Sequence, residues 1–142
     1  APMTETTHPA VLASINSATF ASAGDKQSWL SLFADDAFLS DPVGPSPLDP
    51  TGQGHRGKAA IEGFWDKVIG RAKMNIVASQ RIPCANTCAA VLQVTNNLGG
   101  GKQTVVDMVG IYEVNDAGKL VSLTVHWSWD QLVGQLKELG MM

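Results

Sequence analysis

The second half of the chain decides what this protein can fold into. Residues 74–82, 87–97, 103–114 and 120–129 are four β-prone runs separated by turn residues. Asn97 to Gly101 supplies one hairpin turn and Asn115-Asp116-Ala117-Gly118 another. This spacing predicts an antiparallel meander. Three helical stretches precede it, so the fold expected is α+β: helices packed on a strongly curved antiparallel sheet, forming a cone around an apolar pocket.

Thr7-His8-Pro9 opens the first helix, with a hydroxyl near the cap and proline in the first turn. Val11, Leu12, Ile15 and Thr19 carry its core-facing stripe to about Ala23. Gly24 ends it, and Asp25 caps a second short helix over 26–33 with Trp29, Leu30 and Phe33 inward. A third helix is predicted over 58–69, with Ile61, Phe64, Trp65 and Val68 at helical spacing. From Asp130 onward, Leu132, Val133, Leu136 and Leu139 mark a short amphipathic C-terminal helix. The whole of 3–142 reads as one domain, and Ala1-Pro2 ahead of Met3 as a cloning remnant.

Between the helices lies Phe38-Leu39-Ser40-Asp41-Pro42-Val43-Gly44. A residue before proline is pushed toward extended geometry, so Asp41 should end a short strand, and Pro42 and Gly44 then turn the chain away. Alternation puts Leu39 and Asp41 on one face. If that face is buried, Asp41 is a carboxylate against apolar surface, with a raised pKa suited to a general base. The competing reading is an exposed turn aspartate that only caps. Residues 42–57, with four prolines and four glycines, form a long loop and a candidate lid.

The 142 residues carry a net charge of −3 with no basic cluster, which argues against nucleic acid. No apolar run approaches the ~18 residues of a membrane span and no signal-peptide core is visible, so a cytoplasmic location is expected. Three histidines, none at ligand spacing, predict no metal site and no cofactor. Cys84 and Cys88 are expected to be buried free thiols.

Several stretches resemble the Δ5-3-ketosteroid isomerases. They are Ala23-Gly24-Asp25, Leu32-Phe33-Ala34-Asp35-Asp36-Ala37, Asp41-Pro42-Val43-Gly44, Gly57-Lys58-Ala59-Ala60-Ile61 with Phe64-Trp65, and Asn115 to Ser122. The match runs from about residue 10 to 128 and is specific for the wider nuclear-transport-factor-2-like (NTF2-like) and SnoaL-like polyketide-cyclase group. By that resemblance Asp41 falls on the catalytic base, which in that family shuttles a proton beside a ketone through a dienolate. The family's oxyanion tyrosine falls on Ser17, and its protonated aspartic acid on Gly110. Neither donor is kept. Tyr112 shares the inward parity of Gly110.

The resemblance implies a steroid-like apolar ligand lined by Ser17, Leu39, Phe64, Trp65, Met108, Gly110, Tyr112, Leu123, Val125 and Trp127. It also implies a homodimer through the convex sheet face. Asp107 and His126 alternate away from Gly110 and Trp127, which places them on that convex face as interface residues. Three functions remain open: a weak or altered isomerase, a non-catalytic binder of hydrophobic small molecules, and an aldol-cyclising or epoxide-opening enzyme. The last ranks lowest, because the inward residues offer only one acid.

Overall fold

In the computed structural model, residues 7–142 are described. Helix α1 (Pro9–Ala23) starts on His8, whose Nδ1 accepts from the Ala10 N–H at 3.1 Å while Nε2 donates to the Ala85 carbonyl at 2.9 Å. The cap is therefore an imidazole, which also ties the helix to a turn of the sheet. Gly24, at φ +69°, closes the helix, and the Asp25 side chain accepts from Ser28 to open α2 (Lys26–Leu30). The buried stripe of α1 departs from expectation. Val11 is buried as expected and Ile15 half-buried, but the rest of the stripe is small residues, Ala10, Ala13, Ser14, Ser17, Ala18 and Ala21, while Leu12 and Thr19 are exposed. Small side chains let the helix lie close on the sheet, and periodicity read from large apolar residues misses that.

Helix α2 ends at Leu30, and Phe33 begins strand β1 (Phe33–Ser40) instead of ending the helix. A two-residue strand, β2 (His55–Arg56), pairs antiparallel with β1. Helix α3 (Lys58–Lys67) follows, with a 3₁₀ turn at Ile69–Arg71. The meander then runs through β3 (Met74–Cys84), β4 (Thr87–Gly99), β5 (Lys102–Val114) and β6 (Leu120–His126), and α4 (Trp129–Glu138) closes the chain. The sheet order is β2-β1-β6-β5-β4-β3, with β1 and β6 parallel. Helices α1 to α3 cover the concave face of this curved sheet. Trp29, Phe33, Leu39, Ile61 and Leu120 are almost completely buried between them.

Residues 42–54 are knit together and do not form a loose lid. Ser46 and Asp49 exchange backbone hydrogen bonds, Gly52 N–H donates to Asp49 O, and the Asp49 carboxylate accepts from Gly54 N–H at 2.8 Å. Gly54 sits at φ +77°, and a Cβ there would lie 2.5 Å from the Phe38 ring, so only glycine fits.

Strand β6 ends opposite Val109, which leaves the first half of β5 without a neighbour on that side. Helix α4 fills the gap. The Gln135 amide accepts from Val105 N–H at 2.8 Å and donates to Val105 O at 2.6 Å, as a paired strand residue would. This covers an edge that could otherwise recruit another chain. Replacing Gln135 with Ala is expected to cost about 1 kcal/mol and to speed exchange of the Val105 amide, read by hydrogen exchange.

Candidate functional site

Asp41 is set by the strand before it and the loop after it. Leu39 pairs with Leu123 and Ser40 with Thr124, and two residues on Val43 N–H donates to the Val125 carbonyl at 3.0 Å. Pinned between these contacts, Asp41 continues the inward parity of Leu39. Its peptide bond to Pro42 is cis. On β6 the same parity carries Leu123 and Val125 inward, and Trp127 beyond the strand follows them. The Trp127 Nε1–H donates to Asp41 Oδ1 at 2.6 Å. Oδ2 has no hydrogen-bond partner among the described residues, which leaves it free to take a proton.

Beside the carboxylate is a cavity of about 100 Å³. Its walls are almost entirely apolar: Leu39, Phe64, Met108, Leu123 and Val125 line it, with the Trp127 ring. Removal of the carboxylate from water pushes the Asp41 pKa up from its ordinary 3.8 to about 6, against a smaller downward pull from the Trp127 bond. The exposed-turn reading of Asp41 therefore gives way to the desolvated one.

Two hydroxyls share the cavity with Asp41. Ser17 accepts from the Trp29 indole N–H at 3.2 Å, and its own proton has no acceptor among the described residues. Tyr112, 3% exposed, is the other. Burial pushes its pKa up to about 12, with the Ser14 hydroxyl bonded to it pulling the other way. Ser14 in turn accepts from Arg81 Nε at 3.0 Å. The Ser14 hydroxyl thus links the Arg81 guanidinium to Tyr112, whose side chain lines the cavity.

Two residues expected in the lining are not there. Trp65 is buried against Trp29, ring centroids 5.2 Å apart, and lies behind that ring, whereas Phe64 beside it lines the cavity. Gly110 is covered: a Cβ there would lie 2.9 Å from the Tyr112 ring and 3.3 Å from its hydroxyl. Tyr112 leans along the strand over the glycine and takes the space a side chain at 110 would need. Gly110→Ala is therefore expected to lower stability by about 1–3 kcal/mol through overpacking, measured by urea unfolding. The lining also includes Ala21, Trp29, Val68, Ile69, Leu92 and Val94, which sequence reasoning did not name. Period-2 parity could have found Leu92 and Val94, since Leu92 pairs with Met108 and Val94 with Val106.

Asp107 and His126 are exposed on the convex face, Asp107 accepting from Gln93 at 3.2 Å. Cys84 and Cys88 are both free, but Cys84 is exposed and only Cys88 buried. Strand β3 ends at Cys84, at the rim of the sheet. Among the described residues no group of three or more potential ligands could hold a metal, and no helix is long and apolar enough to cross a membrane.

A cone of this topology with one desolvated acid at its mouth defines a class of small-molecule pocket proteins. The chain belongs to the SnoaL-like domain family, whose model matches residues 16–123, and the fold is the NTF2-like one. It is similar to RV0760c from Mycobacterium tuberculosis at 32% identity and a TM-score of 0.81, over 87% of this chain and 94% of that one. A second structure of that protein is a complex with estradiol-17β-hemisuccinate. The chain is likewise similar to the Δ5-3-ketosteroid isomerase of a Mycobacterium species, at 34% identity and TM-score 0.80, covering 87% and 96%. A computationally designed 17-OHP binder matches at 30% identity and TM-score 0.79, covering 87% and 94%.

Proposed function

We propose that the chain is an isomerase for flat apolar ketones of the steroid or terpenoid class, with Asp41 as the proton shuttle. The observation that carries this reading is Asp41 itself: a carboxylate with one oxygen held by Trp127, the other free, and a pKa of about 6 beside an apolar cavity. In a β,γ-unsaturated ketone the carboxylate removes a proton from the carbon between the carbonyl and the double bond. A dienolate forms, and the carboxyl returns the same proton to the γ carbon, which leaves the double bond conjugated with the ketone. The charge that develops on the oxygen needs donors. The resemblance supplies none at Ser17's and Gly110's positions beyond the serine hydroxyl, and Tyr112 is the group we assign to this role with Ser17.

The similarity to a ketosteroid isomerase, to a protein crystallised with a steroid ester and to a 17-OHP binder supports a ligand of this class. The decisive measurement is the appearance of conjugated-enone absorbance from a β,γ-unsaturated 3-ketosteroid. The second reading, a binder without turnover, is favoured by the missing family donors. Tight quenching of tryptophan fluorescence by steroid ketones and phenols, with no conversion of any β,γ-unsaturated substrate, decides for it.

In this reading the protein works in the cytoplasm as a homodimer. Val77, Val91 and Val109 expose apolar surface on the convex face, with Asp107 and His126 beside them. Sedimentation at micromolar concentration should report twice the 15.0 kDa chain mass, and Val91→Lys should return it to the monomer.

A further inference from the structure

The cavity beside Asp41 measures about 100 Å³, whereas pockets that enclose a drug-sized ligand measure about 300–1,000 Å³. A single-ring ketone fits the space; a polycyclic one needs more. More lies on the other side of α3. Between that helix and the 42–54 loop runs a groove of about 500 Å³, walled by Pro47, Leu48 and Pro50. Phe64 and Val68 border both the cavity and the groove. They are the partition between the two spaces.

His55, from β2, stands at the groove side of this partition. Its ring centroid is 5.3 Å from that of Phe64, tilted by 52°. Its Nε2 is buried and has no hydrogen-bond partner among the described residues. Leaving a buried polar group unsatisfied costs about 1–3 kcal/mol, so such an atom needs an explanation. In the adjoining 42–54 loop the buried polar side chain of Asp49 is satisfied by Gly54 N–H. His55 Nε2 is the exception, and it lies at the one wall that separates a cramped cavity from a roomy groove.

We propose that Phe64 and Val68 form a movable partition and that His55 is the polar anchor behind it. When a polycyclic ketone enters, Phe64 turns aside and the cavity joins the groove. The end of the ligand remote from the ketone then passes through, and a hydroxyl on that end bonds to His55 Nε2. A hydroxyl suits the site because it both donates and accepts, so it matches either neutral tautomer of the ring. The ligand class is thus narrowed to polycyclic ketones with a hydroxyl at the opposite end. This inference rests on the reading of the Asp41 cavity as a ketone site.

The test is a binding titration on intact protein, read by tryptophan fluorescence, with three probes: cyclohexenone, a 3-ketosteroid with a ring-D hydroxyl, and its deoxy counterpart. Wild type should bind the hydroxylated steroid about tenfold more tightly than the deoxy one. His55→Leu should abolish that difference without changing cyclohexenone affinity, and His55→Gln should restore part of it. Phe64→Ala, which removes the partition, should raise the affinity for both steroids and leave their ratio intact. As a readout on wild type alone, the ¹⁵N resonance of His55 Nε2 should move with the hydroxylated steroid and not with cyclohexenone. Equal affinities for the two steroids, or a difference that persists in His55→Leu, would overturn the proposal. Binding of cyclohexenone but of neither steroid overturns it while sparing the ketone reading; binding of none of the three overturns both.

Discussion

An Asp41→Asn variant should turn over a β,γ-unsaturated ketone about 10²–10⁴ times more slowly than wild type, the usual contribution of a positioned general base. Asparagine keeps the shape and the acceptor oxygen for the Trp127 indole, so the pocket stays intact and only the proton acceptor is lost. Affinity for a phenolic steroid should therefore change little while kcat falls. In wild type, kcat/KM should climb about tenfold per pH unit below 6 and level off above it, because the carboxylate is the active form and its pKa is about 6. The variant should show no such slope.

The same substitution has an opposite effect on stability. The folded protein holds a proton on Asp41 up to about pH 6, whereas an unfolded chain releases it near 3.8. The folded state binds more protons between those values, so stability falls as pH rises through that window. The displacement corresponds to on the order of 2 kcal/mol once the solvent-exposed part of the side chain is discounted. Asp41→Asn should thus be more stable than wild type at pH 7 by about that amount, with the advantage gone near pH 4. Urea midpoints at the two pH values check it. A turn aspartate in solvent would give neither effect.

What the sequence made legible is what depends on local periodicity. The meander follows from alternation and turn residues, and the outward facing of Asp107 and His126 follows from parity once the resemblance sets which face is inward. Gly24 and Asp25 are found where the chain's own chemistry puts them. Long-range pairing was less legible. Nothing near residue 40 says that β1 lies parallel to β6, yet that register is what sets Asp41 beside Trp127, 86 positions later. Packing also decides between neighbours that pattern cannot separate. Phe64 and Trp65 are both buried on α3, yet Phe64 lines the cavity while Trp65 packs on Trp29. The lean of Tyr112 over Gly110 is a matter of side-chain direction, which a residue's parity does not give. The role of Gln135 at the open edge of β5 follows from where β6 stops, at His126, three residues short of the predicted 120–129 run.

Tyr112→Phe should lower kcat by about 10²–10³, the typical cost of one oxyanion donor. With Asp41 proposed as the base, Trp127 is spent on it. Ser17 has a short side chain held by Trp29. Tyr112 fills the volume above Gly110 and has its oxygen bonded by Ser14, which Arg81 engages in turn. A phenol with its pKa at about 12 stays protonated throughout the working range and acts as a neutral donor, so its loss should scale the rate without altering the pH profile set by Asp41. Phenylalanine retains the ring and its packing, and the lost hydroxyl should cost only about 1 kcal/mol in stability. A phenolic steroid, whose oxygen resembles the dienolate, should bind more weakly to the variant by a factor close to the loss in kcat, while a ring of the same shape without that oxygen binds equally to both. If Tyr112 is only packing, kcat will hold and the two ligands will respond alike; Ser17→Ala is then the variant that should carry the loss instead.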